Sequence, residues 1–209
     1  VKTRLTYLQI WILALVSCVA AIWFSFSYVD IPVAQFFSGS KHYLNAIIKP
    51  ASEDFASTII LFLEATTILG LSIVCLFSNK KLPPLAEAVG LACLASISVY
   101  AIDSNVLKPL FGVPTPDKVL DGARHTFNFF AGSEHSTFPS GHMTLAAPFA
   151  GVFMRLYRQS ILPLSALLLF GAALLVAGEW HFVSDVIAGT FIGLSAGLLA
   201  AQLWVLHSN

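Results

Sequence analysis

A chain of 209 residues that is 57% hydrophobic and only 11% charged, with a mean hydropathy of +0.81, is not an ordinary soluble domain; these values point to a multi-span membrane protein. The formal net charge is zero, so no basic surface argues for a nucleic-acid partner. The length fits one compact domain, 1–209, and Cys18, Cys75 and Cys93 all fall in apolar runs, as small packing residues rather than disulfide partners or metal ligands.

Lys2 and Arg4 precede a first apolar run, 7–29, which is longer than the core of a cleaved signal peptide and has no small-residue cleavage site. It is predicted as a retained span. Residues 30–55 are mixed, and Ile31, Val33, Phe36 and Phe37 fit either an interfacial helix or a plain loop. The second span is 56–78, stopped by Asn79-Lys80-Lys81 and Pro83-Pro84, and the third is 85–107. A polar loop, 108–138, leads to a fourth span, 141–157, which Pro148 should kink. The fifth and sixth spans are 161–178 and 182–206. The expected fold is therefore an all-α integral membrane protein with six transmembrane helices in one bundle.

Six spans place both termini on one side, with Lys2, Arg4, Lys80, Lys81, Arg155 and Arg158; Lys41, Lys49, Lys108, Lys118 and Arg124 fall on the other. The margin is thin, but the first set lies in short segments beside spans, which predicts cytoplasmic termini in a cell-membrane protein. Lys108, His142, His181 and Asp185 then share the outer face. Their convergence does not depend on which face is outside.

The chemistry centres on Phe138-Pro139-Ser140-Gly141-His142. Pro139 ends an extended approach, Ser140 suits an N-cap, and 143–157 reads as a helix. Such a start presents unpaired amides and a positive dipole end to an anion, with His142 in the first turn. His181 and Asp185 are four apart, so on a helix Asp185 accepts a hydrogen bond from one ring nitrogen and leaves the other free to attack phosphorus. His142 can then protonate the leaving oxygen and later deprotonate water. Lys108 supplies charge, and Ser140 with the first-turn amides from Gly141 onward supplies hydrogen bonds to phosphoryl oxygens. Either histidine alone reads as a cap or an interfacial residue. Both together, with Asp185 and Lys108, read as a site.

On these residues the sequence resembles the type 2 phosphatidic acid phosphatase family, membrane relatives of the vanadium haloperoxidases. The family carries a Lys followed after six residues by Arg-Pro, then Pro-Ser-Gly-His, then Ser-Arg, five residues, His, three residues, Asp. The second motif is complete at Pro139 to His142; Lys108 and Pro116 match the first, His181 and Asp185 the third. The resemblance implies a His181 nucleophile, Asp185 as its partner, His142 as general acid and base, no metal or other cofactor, and phosphorylated lipid substrates in the bilayer.

Both family arginines are missing: Thr115 stands at the first and Leu174-Leu175 replaces Ser-Arg. One such donor is typically worth about a hundred- to a thousandfold in rate. Three explanations stay open. Arg124, Lys118 or His125 folds back to supply the charge for a monoester; the substrate is a singly charged phosphodiester, used by a head-group phosphotransferase or diesterase; or the chain is a non-catalytic lipid-binding relative.

Other residues carry two readings each. Glu64, deep in the second span, is functional or is paired with hydroxyls such as Ser96 or Ser98. Glu179 holds a head group, tunes His181 or is a solvated loop end. Asp103 and Asn105 orient Lys108 or merely close a span. His125, Glu134 and His135 match no zinc spacing, so no metal is assigned. Phe127, Phe129 and Phe130 rest in the interface or line a lipid-tail entry.

Overall fold

The computed structural model describes residues 6–38, 53–77, 81–132 and 136–208. Among them the regular elements are all helical, beside an isolated antiparallel bridge between Pro114 and Ser136. Helix α1 (Tyr7–Phe24) starts at a capping box, in which Thr6 Oγ1 accepts the Gln9 N–H at 3.3 Å and Gln9 Oε1 accepts the Thr6 N–H at 2.9 Å. The expected break after Val29 does not occur. A π-helical turn, Ser25–Val29, runs into α2 (Asp30–Phe37) and makes one rod of 31 residues, Tyr7–Phe37. Asp30 looks like a span end in the sequence but is buried, accepting the Ser184 N–H at 3.0 Å and the Ser184 hydroxyl. Ile31, Val33, Phe36 and Phe37 therefore extend the span and form neither a separate interfacial helix nor a loop. Residues 39–52 lie outside those described.

Helix α3 (Glu53–Phe77) is followed by α4 (Pro84–Ile102), with proline at its first position, where the missing N–H costs nothing. A second π-helical turn, Asp103–Leu107, carries α4 into α5 (Lys108–Phe111), closed by Gly112 at φ 56°. Lys108 thus sits on the end of a helical rod and not in a loop. Then come α6 (Pro116–Leu120), α7 (Gly141–Leu156), a 3-10 turn at Arg158–Ser160, α8 (Ile161–Ala177) and α9 (Val183–Ser208).

The core is α7 pressed against α9. Gly189, Gly193 and Gly197 recur every fourth residue on α9 and so share a face. A Cβ at Gly189 would lie 2.6 Å from the Ser140 carbonyl oxygen; at Gly193, 2.7 Å from Ala147 Cβ and 2.8 Å from Pro148 Cδ. At Gly197 it would collide with the Pro148 backbone. The proline inside α7 is accommodated because its ring and carbonyl fill the space these glycines leave. Around this pair, α4 packs on α7 and α9, α1 on α9, α3 on α4, and α8 on α7 and α9. Helices α1, α3 and α8 carry large exposed apolar side chains such as Leu13, Phe62 and Phe170, as lipid-facing helices do.

Among the described residues five helices are long and apolar enough to cross a membrane: Tyr7–Phe37, Ser57–Phe77, Pro84–Phe111, Arg158–Ala177 and Val183–His207. Helix α7, expected as a further span, has 16 residues. At about 1.5 Å per residue it is roughly 24 Å long, against a hydrocarbon layer of about 30 Å. It is also the most enclosed helix of the bundle.

Two loops are zipped together ahead of α7. Thr137 N–H donates to the Val113 carbonyl at 2.8 Å, Val113 N–H to Ser136 Oγ at 3.2 Å, and the Ser136 hydroxyl to the Phe138 carbonyl at 3.2 Å. Phe127 packs beneath them, half-buried, its ring stacked on Phe26 at 4.5 Å and edge-on to Phe138 at 5.4 Å. Phe129 and Phe130 remain exposed.

Candidate active site

Three helix ends meet at one end of the bundle: the rod that carries Lys108, the start of α7 and the start of α9. The turn before α9 folds back on α8. Gly178 N–H donates to the Leu174 carbonyl at 2.9 Å, Trp180 N–H to that of Leu175 at 3.1 Å and His181 N–H to the same oxygen at 3.3 Å. Glu179 takes a φ of 58° in this turn and is buried, so it is not a solvated loop end.

His181 is held in this turn, ahead of α9, and is 1% exposed. Asp185 lies inside the helix, and its Oδ2 accepts the Phe182 N–H at 2.7 Å, the back-bond of a capping box. The helix-face argument expects a direct hydrogen bond from His181 to Asp185. Because His181 precedes the helix, its Nδ1 is instead 3.5 Å from Asp185 Oδ2, an ion-pair separation. Thr137 Oγ1 is 2.8 Å from His181 Nδ1 and 2.8 Å from Asp185 Oδ2. The sequence reading missed Thr137; its signal was a hydroxyl residue directly ahead of Phe138-Pro139.

His142, half-buried in the first turn of α7, turns its Nδ1 toward His181 Nε2 at 3.4 Å, the two rings crossing at 77°. Trp180, also missed, stacks on His142 with centroids 6.0 Å apart and planes 14° apart. Ser140 is fully buried and acts as the N-cap, its Oγ accepting the Met143 N–H at 3.5 Å. Its own N–H donates to the Asp185 carbonyl at 3.1 Å and ties the starts of α7 and α9 together.

Gly141 faces the opposite wall. A Cβ there would sit 3.3 Å from Lys108 Nζ, 3.4 Å from Tyr100 Cε2 and 3.5 Å from Asp103 Oδ2, so the ammonium lies over the helix start because Gly141 leaves it room. Asp103 is fully buried, takes the Thr144 hydroxyl on Oδ2 at 3.2 Å, and lies within electrostatic reach of Lys108 and His181.

The loop residues distribute differently. Arg124 is exposed. His125 is stacked on Phe26 with centroids 4.0 Å apart, lies 4.4 Å from the Phe182 ring, and points Nε2 at Asp30 Oδ2, 3.5 Å away. Burial pushes this imidazole below its ordinary value of 6.5, against the pull of the Asp185 carboxylate. His125 therefore packs beside Asp30 between two aromatic rings and does not turn toward His181. Glu134 and His135 lie outside the described residues. Leu175 is buried in the core between α7 and α8, and Thr115 precedes α6. Glu64 is buried near Ser96, but the Ser96 hydroxyl donates to the Leu145 carbonyl at 2.6 Å and Glu64 Oε2 has no hydrogen-bond partner among the described residues.

A family model described as the PAP2 superfamily matches residues 88–207. The chain belongs to this superfamily. The match runs from α4 to α9 of this PAP2 protein and takes in Lys108, Thr137, His142, His181 and Asp185. A lipid A 1-phosphatase of Rhizobium johnstonii (strain DSM 114642 / LMG 32736 / 3841) is 34% identical over 100 residues, 47% of this chain and 41% of the relative. A lipid A 1-phosphatase of Rhizobium etli (strain ATCC 51251 / DSM 11541 / JCM 21823 / NBRC 15573 / CFN 42) is 29% identical over 118 residues, 56% of this chain and 50% of the relative. The PAP2 chain thus spans about half the length of the curated relatives it matches, or less. No solved structure matches it significantly.

Proposed function

We propose that this PAP2 protein is a membrane phosphatase that removes the phosphate of a phosphorylated lipid through a phosphohistidine at His181. One observation carries the reading: His181 Nε2 and His142 Nδ1 face each other at 3.4 Å beside a helix start over which the Lys108 ammonium is held. His181 Nε2 attacks phosphorus, the bond from phosphorus to the lipid oxygen breaks, and His142 delivers a proton to that oxygen. Water, deprotonated by His142, then attacks the phosphohistidine, the N–P bond breaks, and inorganic phosphate leaves. Lys108 and the first-turn amides of α7 hold the phosphoryl oxygens while charge develops on them. A nucleophile needs phosphorus within about 3–3.5 Å, which fills the whole gap between the rings, so His142 draws back toward Trp180 as the substrate enters. No metal is assigned to either step.

The lipid A 1-phosphatase relatives support a lipid monoester as substrate, with Arg124 turning inward from the loop to complete the charge. A second reading rests on the uncharged Thr115, Leu174 and Leu175 and on His125 being engaged with Asp30. With fewer cations at the site, a singly charged phosphodiester is the easier substrate, and the enzyme is then a head-group phosphotransferase or diesterase. In either case α7 forms a sixth, enclosed crossing of the cell membrane, the termini are cytoplasmic, and the site faces the extracytoplasmic side.

Inorganic phosphate released from a panel of lipid monoesters, with a diester panel beside it, tests the proposal. Release from monoesters that disappears in His181→Ala supports the first reading. Head-group exchange on diesters alone supports the second, and activity that survives His181→Ala sinks both.

A further inference from the structure

The geometry between His181 and Asp185 leaves a direct role for the carboxylate unmet. Asp185 Oδ2 already accepts the Phe182 N–H at 2.7 Å and lies 3.5 Å from His181 Nδ1, while Thr137 Oγ1 is 2.8 Å from both groups. Thr137 is 2% exposed, and its backbone is pinned by the bond from its N–H to the Val113 carbonyl at 2.8 Å, so the hydroxyl has little freedom to be anywhere else. A hydroxyl has one proton. Three acceptors surround it: Asp185 Oδ2, His181 Nδ1 and, at 3.3 Å, the Trp180 carbonyl. An ionised carboxylate at the shorter distance takes that proton in preference to a neutral carbonyl. Once Thr137 donates to Asp185, its oxygen is left to accept, and the ring can only be a donor: His181 carries its proton on Nδ1. The lone pair is then on Nε2, the nitrogen that faces His142.

We propose that Thr137 is the positioning residue through which Asp185 acts on His181, a buried hydroxyl that fixes the imidazole tautomer. The chain of donation runs from His181 Nδ1–H to Thr137 Oγ1 and from Thr137 Oγ1–H to Asp185 Oδ2. No proton leaves this chain during the reaction. When Nε2 is phosphorylated, the positive charge on the ring is stabilised through the same two hydrogen bonds, which low local dielectric strengthens. The catalytic consequence rests on the phosphohistidine reading above, but the tautomer does not, and the two separate experimentally.

The test uses the full chain, labelled with 15N-histidine in lipid bilayers, as wild type, Thr137→Val, Thr137→Ser and His181→Ala. The His181→Ala spectrum assigns the His181 signals by difference. Valine keeps the shape of threonine and removes the hydroxyl; serine keeps the hydroxyl. The expected spectrum shows His181 protonated on Nδ1 in wild type and Thr137→Ser, and a mixture of tautomers in Thr137→Val, which still unfolds cooperatively at a somewhat lower temperature. An unchanged His181 tautomer in Thr137→Val overturns the proposal, whatever the activity. In phosphate release from a lipid monoester, Thr137→Val should lower kcat about tenfold or more with KM little changed, and Thr137→Ser should restore it. In an Asp185→Asn background, Thr137→Val should cost little further, because both act along one path. Full additivity of the two losses also overturns the proposal, whereas phosphate release that persists in His181→Ala sinks the phosphohistidine reading and leaves the tautomer result standing.

Discussion

Gly141 shows how much one missing side chain can position. Lys108 Nζ lies 3.3 Å from where its Cβ would be, and Asp103 Oδ2 lies 3.5 Å from it. Alanine is the better helix former, so Gly141→Ala should leave the melting temperature unchanged or slightly higher. The added methyl displaces the ammonium by a fraction of an ångström, and on the proposed function phosphate release should fall by about tenfold. Equal activity in Gly141→Ala would remove Lys108 from the site. The meeting of His142, His181 and Lys108 was legible because each stands in a short motif at a helix end. Thr137 and Trp180 were not legible, since their partners lie 44 and 38 residues away and only the fold supplies the encounter.

At the scale of helices, the register between α7 and α9 is set by small residues. Gly197→Ala forces a methyl into the Pro148 backbone, and overpacking of this kind costs about 1–3 kcal/mol. Gly171 on α8 has nothing within 4 Å of its Cβ position, so Gly171→Ala should be neutral or stabilising by up to about 1 kcal/mol. Thermal unfolding of the two variants in detergent, compared with wild type, checks the contrast. Pro148 could be read from sequence as an irregularity that neighbours must absorb. Which neighbour absorbs it depends on the α7–α9 register, and no periodicity within either segment encodes that. The limits of the first rod were misread for a related reason: a carboxylate in a span normally marks the water boundary, and Asp30 has Ser184, 154 residues away, to satisfy it.

Over the whole molecule, Asp30, His125 and Ser184 bring together the first rod, the loop after α6 and the start of α9. The His125 ring is held neutral between Phe26 and Phe182, with its proton affinity lowered by burial. The unfolded chain therefore takes up the proton first. The stability contributed by the neutral ring is complete above the ordinary imidazole value of 6.5 and is lost as the pH falls through that value toward the lowered one. Melting temperatures of wild type should drop more steeply than those of His125→Phe between neutral pH and about pH 5, since phenylalanine keeps the stack and cannot charge. Parallel curves would show that the ring does not titrate there. The first turn of α9, from Phe182 to Asp185, is where this junction, the helix cap and the link to His181 all fall. The usual exchange of robustness against turnover should therefore be closed to Asp185, whose variants are expected to forfeit both at once. On the proposed function, adaptation to a new substrate has its latitude on the opposite wall, around Lys108 and the exposed loop that carries Arg124.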